Sequence, residues 1–235
     1  MALDQNQELK DLQFPLLISK GGVSLCQAFI REGKGRRVAV GALGPTAYDA
    51  AIVAIDFVAA NVERLRAWVQ GWPSSYLPGR LFRSSEDVVV AAQGYNDQKN
   101  GGSGTTTMVL SVIVLLGRLK RLSADVAISG GMDLTGTLFP VLDVKEKIQA
   151  AKDGELEMVI CCPDVYNRCA ANDFESLPLN LRDYARTALQ PAKTIVDVLE
   201  LTVPGEKRVI VVVVVVVVIV VEGAGAAVGL AFPSV

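Results

Sequence analysis

The order of apolar and polar residues predicts a chain of alternating strands and helices. Short apolar or β-branched runs, which are typical of strands, occur at 23–30, 37–40, 87–92, 125–129, 132–140 and 157–162. Helical spacing of apolar residues, or an unbroken apolar run long enough for a buried helix, marks 46–69, 106–116, 144–153 and 193–201. This alternation predicts an α/β or α+β fold.

Glycine, proline and capping residues refine the ends of these segments. The strands 23–30 and 37–40 are joined by a glycine-containing connection, which predicts a β-hairpin. Thr46 is the expected N-cap of the first helix, and Gly154 is the expected C-cap of the helix 144–153. The buried face of the first helix is expected to comprise Ala47, Ala51, Ile55, Val58, Val62, Leu65 and Val69. The polar stretch between Pro163 and the last helix is expected to be rich in loops.

The chain is expected to comprise an N-terminal extension (1–19), one folded domain (20–205) and a valine-rich tail (206–235). A length of 235 residues suffices for one domain with a sizeable core. In the tail, the apolar run Val209–Val221 is too short to cross a bilayer as a helix. We expect a low-complexity or mispredicted terminus outside the functional domain, with a C-terminal membrane anchor as the alternative.

Charge and cysteine content narrow the functional classes. A net charge of −2 gives no electrostatic reason to expect nucleic acid as a partner. The four cysteines have no C-x-x-C spacing and are expected to be small buried hydrophobes in a reducing compartment, with no metal site. The first segment has the features of neither a signal peptide nor a transit peptide. We therefore expect an intracellular, cytoplasmic protein, with a mitochondrial location or a tail anchor as alternatives.

A glycine-rich turn, K-N-G-G-S-G-T at 99–105, presents Ser103 between the strand 87–92 and the helix 106–116. Backbone N–H groups without helical partners lie at a helix start, where they stabilise an oxyanion or a phosphate. Ser103 is therefore a candidate nucleophile or part of an anion site, although the turn alone favours an ordinary N-cap. The chain has no histidine, which excludes Ser-His-Asp and Cys-His mechanisms and any histidine-containing zinc site. A nucleophilic Ser103 would need a carboxylate, a tyrosine or a lysine as its base.

Three segments resemble the proteolytic domain of the Lon protease family. K-N-G-G-S-G at 99–104 is similar to the nucleophile motif K-D-G-P-S-A, and A-D-V-A-I-S-G at 124–130 is similar to A-D-V-A-M-T-G. The segment 134–147 follows the pattern L-x-G-x-V-L-P-I-G-G-L-K-E-K. Ser103 and Lys145 are 145 − 103 = 42 positions apart, close to the family's spacing of its catalytic serine and lysine. The resemblance covers about residues 20–202, is most specific between 99 and 151, and implies a mixed sheet with flanking helices.

The resemblance implies roles for five residues. Ser103 would be the nucleophile and Lys145 its general base, in a Ser-Lys dyad whose lysine is neutral because it is buried at a helix start. Ser129 takes the position of the family's threonine and would hydrogen-bond the lysine amine. Backbone N–H groups around Gly102 and Gly104 would bind the oxyanion of the tetrahedral intermediate.

Neighbouring positions follow the family less closely. Lys147 is expected to be a surface charge, and Asp143 is expected to point to solvent. Gly131 stands where the family has a glutamate, Asn100 replaces the aspartate of the nucleophile motif, and the segment 142–144 (L-D-V) replaces G-G-L before the lysine.

The resemblance implies a serine endopeptidase of the Lon type that hydrolyses peptide bonds in unfolded proteins. It also implies a homo-oligomer, a ring of six. Full-length Lon proteases couple this domain to an ATPase with a G-x-x-x-x-G-K-[ST] phosphate loop, a pattern that this sequence lacks. We therefore expect no cofactor in this chain, ATP acting only through a separate ATPase partner, and neither nucleic acid nor membrane as a partner.

Two alternatives to a peptidase remain. The changes at Gly131 and at 142–144 favour a catalytically silent Lon-like domain that acts as a binding or assembly module. A nucleotide-binding domain that uses the turn as a phosphate cradle is the weaker alternative, because no lysine follows the glycines.

Overall fold

Most of the predicted domain is described by the structure, a computed structural model of the chain. The described residues are 13–18, 22–41, 43–68, 84–93, 102–117, 119, 125–171 and 177–203, and they belong to one compact unit. The predicted tail 206–235 and most of the predicted N-terminal extension lie outside the described residues. The boundaries of the three segments, and the membrane anchor as an alternative role of the tail, therefore stay predictions.

A four-stranded mixed sheet forms the first half of the fold, in the order β1–β2–β4–β3. Its strands are β1 (Gln13–Ile18), β2 (Gly22–Glu32), β3 (Arg37–Gly41) and β4 (Glu86–Ala92). β2 pairs antiparallel with both β1 and β4, whereas β3 pairs parallel with β4. The α/β class and the mixed sheet that the sequence predicts are confirmed.

The predicted hairpin between the strands 23–30 and 37–40 is wrong, although both strands exist. Each of them pairs with β4, which lies between them. Burial explains this order, because Val88, Val89 and Val90 are fully buried and a strand that is apolar on both faces belongs inside a sheet. β1 is missing from the sequence-based prediction. Its run contains Pro15, which is tolerated because β1 is the edge strand of this sheet.

A buried carboxylate fastens the connection between β2 and β3. Asp87 is 0% exposed, and its carboxylate accepts hydrogen bonds from the N–H groups of Lys34 (2.8 Å) and Arg36 (2.9 Å) and from the Arg36 guanidinium (3.0 Å). Arg31 lies 3.6 Å from the same carboxylate. The backbone donors of Arg36 and Lys34, followed by the Arg36 side chain, hold the pKa of Asp87 well below its ordinary value of 3.8.

The first predicted helix is divided into α1 (Pro45–Ala60) and α2 (Val62–Trp68). The predicted N-cap Thr46 is wrong: Gly44 occupies the N-cap in an extended conformation, because Pro45 is suited to the first helical position. The predicted apolar face is confirmed, since Ala47, Ala51, Ile55, Val58, Val62 and Leu65 are buried. Val69, the last predicted member of this face, lies outside the described residues.

The second half of the fold contains two smaller sheets. β5 (Val126–Ser129), β8 (Met158–Cys161) and β9 (Leu189–Pro191) form a parallel sheet in the order β5–β8–β9. β6 (Gly131–Met132) and β7 (Leu138–Phe139) form an antiparallel pair. The single strand predicted at 132–140 is therefore wrong, because the residues between β6 and β7 form a turn.

The helices of the second half agree with the sequence where the apolar signal is strong. α3 (Thr105–Gly117) and α4 (Val144–Asp153) lie where they were expected, and Gly154 is the C-cap of α4. The stretch expected to be loop-rich instead forms α5 (Pro163–Ala171) and α6 (Leu179–Ala188), whose apolar residues are sparse. The last helix, α7 (Ile195–Thr202), begins with a capping box between Thr194 and Asp197.

The prediction that the cysteines are buried is confirmed for three of the four within the described residues. Cys26, Cys161 and Cys162 are buried in the core. The basic segment 34–37 is exposed. In the described part of the chain, no helix has both the length and the hydropathy that are needed to span a membrane.

Replacing Asp87 by asparagine should lower the free energy of unfolding at neutral pH, because the buried arginine-facing site would lose its negative charge. Asp56→Asn is the matched control, since Asp56 is 45% exposed in its ion pair with Arg37 and such surface pairs contribute only about 0–1 kcal/mol. Urea unfolding of both variants at pH 7 measures the difference. Equal losses in the two variants would contradict the anchoring role of Asp87.

The same carboxylate predicts a pH dependence. Because the pKa of Asp87 is lower in the folded than in the unfolded chain, its contribution is fully present above the ordinary value of 3.8 and is lost as the pH falls below it. Wild type should therefore lose stability towards low pH more steeply than Asp87→Asn. Parallel stability curves for the two proteins in this acidic range would contradict the prediction.

Candidate active site

Ser103 lies in a short 3-10 turn, Gly102–Gly104, that leads directly into α3. The Thr105 hydroxyl donates a hydrogen bond to the carbonyl oxygen of Gly102 at 2.7 Å and thereby closes the turn. Ser103 itself is half-buried, and its hydroxyl makes no hydrogen bond within the described residues. The side-chain bond of an N-cap serine is thus not found in this part of the chain, and the hydroxyl is available for chemistry.

The glycines of the turn have different roles. Gly104 is buried against β1, where an added Cβ would lie 2.7 Å from Cδ1 of Leu16. Gly102 has more room, with the nearest atom 3.7 Å from an added Cβ. A residue larger than glycine at position 104 would therefore require the end of the Leu16 side chain to shift. The first three residues of the motif, 99–101, lie outside the described residues.

The end of β5 lies against this turn. β5 and β6 both contact the turn that carries Ser103, and Ser129, the last residue of β5, is 6% exposed. The Thr106 hydroxyl at the start of α3 donates to the Gly130 carbonyl at 2.9 Å, and the Thr107 hydroxyl donates to the Ile128 carbonyl at 3.3 Å. The structure therefore brings the segments of Ser103 and Ser129 together. Sequence reasoning missed the two threonines, although successive hydroxyls at the start of an apolar helix are a visible signal.

The hairpin of β6 and β7 extends from this point. The Asp133 carboxylate closes its turn by accepting hydrogen bonds from the Thr135 hydroxyl (2.6 Å) and from the N–H groups of Thr135 (2.8 Å) and Thr137 (3.0 Å). The bond from the Thr135 hydroxyl is the main cause that lowers the pKa of Asp133. Gly136 supplies the positive φ of 86° that the turn requires. Asp133 is therefore a structural residue of the turn and a poor proton acceptor.

Phe139 explains one departure from the Lon pattern. An added Cβ on Gly131 would lie 2.0 Å from Cε2 of the Phe139 ring. The aromatic ring thus occupies the space in which the family's glutamate side chain would begin. Phe139 is 44% exposed, so one side of the ring faces solvent beside β6.

The two lysines of α4 are placed opposite to expectation. Lys145 is exposed, so its predicted burial is wrong, and Lys147 is 3% exposed, so its predicted place on the surface is wrong as well. Residues two apart on a helix differ by about 200° in direction. Lys147 shares the buried face with Ala150 and Ala151, three and four residues on, where α4 packs against β1, β2 and α6.

Burial also shifts the pKa of Lys147. Desolvation lowers the pKa of Lys147, and the opposing charge of Asp143 offsets part of this effect. Asp143 is exposed, as expected, and is the N-cap of α4 in a left-handed conformation with φ 59°. Glycine adopts this conformation readily, and aspartate is among the few other residues that tolerate it.

The described residues offer no metal site, because no group of three or more Cys, Asp and Glu side chains among them is arranged to hold an ion. The polar groups that the described residues place at the turn of Ser103 are backbone N–H groups and the hydroxyls of serine and threonine. Backbone N–H groups at a helix start can stabilise an oxyanion.

The family model and the relatives that match this chain all belong to the same family. Residues 17–205 match the family model described as the Lon protease (S16) C-terminal proteolytic domain. The Lon protease of Flavobacterium johnsoniae is 28% identical over 142 residues, which are 60% of this chain and 16% of that protein. Lon protease homolog 2, peroxisomal, of Spinacia oleracea is 31% identical over 140 residues, or 60% and 15% of the two chains. The Lon protease of Erwinia amylovora is 28% identical over 171 residues, or 73% and 19%.

A mixed α/β fold that presents a serine at the start of a buried helix, together with this match, defines a proteolytic domain. The chain belongs to the Lon protease family, whose members are hydrolases that act in proteolysis. The matched regions span only 15–19% of the length of the three relatives.

Gly131→Glu, which restores the family's residue, should displace the Phe139 ring from β6. Because that ring is already 44% exposed and can swing outward, we expect a modest loss of about 1 kcal/mol in the free energy of unfolding. Adding Phe139→Leu, which shortens the side chain, should recover most of the loss. Urea unfolding of both single variants and the double variant gives the coupling energy. Additive effects would show that the ring does not exclude a side chain at position 131.

Proposed function

We propose that this chain hydrolyses peptide bonds through a Ser-Lys dyad of Ser103 and Lys145. The observation that carries the proposal is the position of Ser103, in a turn whose Gly104 is buried and which leads into the start of α3. The first N–H groups of a helix have no partner within the helix, so they are free to bind a developing oxyanion. A donor of this kind contributes about 3 kcal/mol to the transition state of acyl transfer.

The proposed reaction is an acyl transfer in two steps. The Ser103 oxygen attacks the carbonyl carbon while Lys145 accepts the hydroxyl proton, and N–H groups around Gly102 and Gly104 hold the oxyanion. Lys145 then gives the proton to the leaving amine, and water releases the acyl group by the reverse sequence. Ser129 is proposed to orient the lysine amine by a hydrogen bond.

Because Lys145 is exposed, the proposed mechanism needs the bound substrate to shield its amine from water. A lysine accepts a proton only in its neutral form, and water favours the ammonium. A polypeptide that covers the start of α4 would remove this water and favour the neutral amine.

Lys147 is the competing candidate for the base. Its burial and lowered pKa are the usual properties of a catalytic lysine. Its side chain belongs to the face of α4 that packs on β1, β2 and α6, which favours a structural role. Kinetics of single variants distinguish the two lysines.

Ser103→Ala and Lys145→Ala should each lower kcat for an unfolded protein substrate by at least about a thousandfold, because the dyad acts as a unit. Lys147→Met, which keeps the length of the buried side chain, should retain most activity. Circular dichroism controls for folding. Loss of activity in Lys147→Met together with an active Lys145→Ala would identify Lys147 as the base.

The pH profile gives an independent check on the kind of base. Activity of wild type should rise with pH through a single limb, since a lysine must lose its proton before it can accept one from Ser103. Activity that is highest in acid would point to a carboxylate base, with Asp143 the first suspect.

A second candidate function is a catalytically silent domain for binding or assembly. It is supported by the Phe139 ring at Gly131 and by the segment 142–144 beside Lys145, where the family pattern changes. A fluorophosphonate probe separates the candidates, because it labels only an activated serine. Labelling at Ser103 supports the peptidase, and an unlabelled, folded protein supports the silent domain.

The proposed substrates are unfolded polypeptides, and the proposed partners are further copies of this chain, in a ring of six, and a separate ATPase. This sequence has no phosphate-loop motif. Unfolding a stable substrate costs about 5–15 kcal/mol, which this chain has no visible means of supplying.

The purified chain should therefore cleave an unfolded substrate without ATP and spare a folded version of the same substrate. Incubation of both versions, with and without ATP, followed on gels, measures this selectivity. Degradation of the folded version by this chain alone, stimulated by ATP, would contradict the prediction.

A further inference from the structure

Three successive threonines at the start of α3 all use their hydroxyls on backbone carbonyls. Thr105 is 5% exposed, and Thr106 and Thr107 are fully buried. The Thr105 hydroxyl bonds to Gly102 within the turn, as described above. The hydroxyls of Thr106 and Thr107 point away from their own helix and donate hydrogen bonds to backbone carbonyl groups in the segment that contains β5 and β6.

The two outward bonds flank Ser129 on both sides. Their acceptors are the carbonyl oxygens of Ile128 (3.3 Å) and Gly130 (2.9 Å), the residues before and after Ser129. Thr106 and Thr107 lie three and four positions after Ser103 in the chain. The pair therefore connects the two segments that carry the proposed nucleophile and the proposed orienting serine.

A purely structural explanation of these threonines is weak. β-branched residues lose side-chain freedom in a helix, and a threonine hydroxyl ordinarily bonds to a carbonyl of its own helix. Val109, Val112 and Val114 on the same helix show that buried β-branched positions need no hydroxyl for packing. A hydrogen bond adds direction, which packing alone does not supply.

We infer that Thr106 and Thr107 are positioning residues that set the placement of Ser129 relative to Ser103. This inference rests on the proposed function, because it assigns the threonines a role in the Ser-Lys reaction. A displacement of about 1 Å in a catalytic group lowers the rate by about a hundredfold. Loss of one of two bonds should have a smaller effect than that.

The test compares Thr106→Val, Thr106→Ser and Thr107→Val with wild type. Thr106→Val keeps the shape and removes the hydroxyl, and we expect kcat to fall about tenfold to a hundredfold while KM stays constant. Thr106→Ser retains the hydroxyl and should restore most of kcat. Thr107→Val should have the smaller effect, because its bond of 3.3 Å is the longer one, and it serves as the test if Thr106→Val does not fold.

Ser111→Ala is the matched control on the same helix. Ser111 is 1% exposed, but its hydroxyl bonds at 2.7 Å to the Met108 carbonyl within α3. Its loss should lower stability without changing kcat. The rate of labelling of Ser103 by a fluorophosphonate should follow kcat across all the variants.

The outcomes separate this inference from the function on which it rests. An active wild type whose Thr106→Val and Thr107→Val variants keep wild-type kcat would overturn the inference alone. Equal losses of kcat in Thr106→Val and Ser111→Ala would also overturn it, because they would reflect stability. A folded wild type with an unreactive Ser103 would overturn the proposed function and the inference together.

Discussion

The burial of α3 on all sides is the constraint on which the rest of the structure depends. Every residue of this helix except Leu115 is buried, so it has no polar face to give to solvent. It is covered by α1, β1 and β2 from the first half of the chain and by β5, β6 and α7 from the second half. The helix thus joins the two halves, and its first turn cannot move without disturbing both. Ser103 lies two residues before Thr105, in the short turn that leads into α3, so the fixed helix also restrains the position of the serine.

The sequence predicts those features of the fold that depend on a single short segment, and it does not predict which segments pair with each other. β4, β5 and β8 were predictable because a buried strand is a short apolar run wherever its partners lie in the sequence. The partners themselves are not encoded locally, and for this reason the hairpin of β2 with β3 was wrong. α5 and α6 escaped prediction because they carry few apolar residues and depend on packing against the parallel sheet for their stability.

Residues of the candidate site that belong to a sequence motif could be predicted. The burial of a residue, which depends on packing between distant segments, could not. The motif identified Ser103 and Ser129, and the structure brings their segments together. It did not determine which face of α4 is buried, since both lysines fit a helix and only the packing on β1 and β2 distinguishes them. Phe139 and Gly131 illustrate the same limit, because their contact links two positions that pair across strands.

The two lysines differ in the source of the desolvation that favours a neutral amine. The fold itself desolvates Lys147 and lowers its pKa, at a cost in folding free energy. Lys145 is exposed and bears no such cost before a substrate binds. If Lys145 is the base, desolvation has to come from the bound polypeptide, and serine activation is then coupled to substrate binding. Such coupling would raise the reactivity of Ser103 when a polypeptide is bound, above the basal reactivity that a small electrophile meets in the free protein.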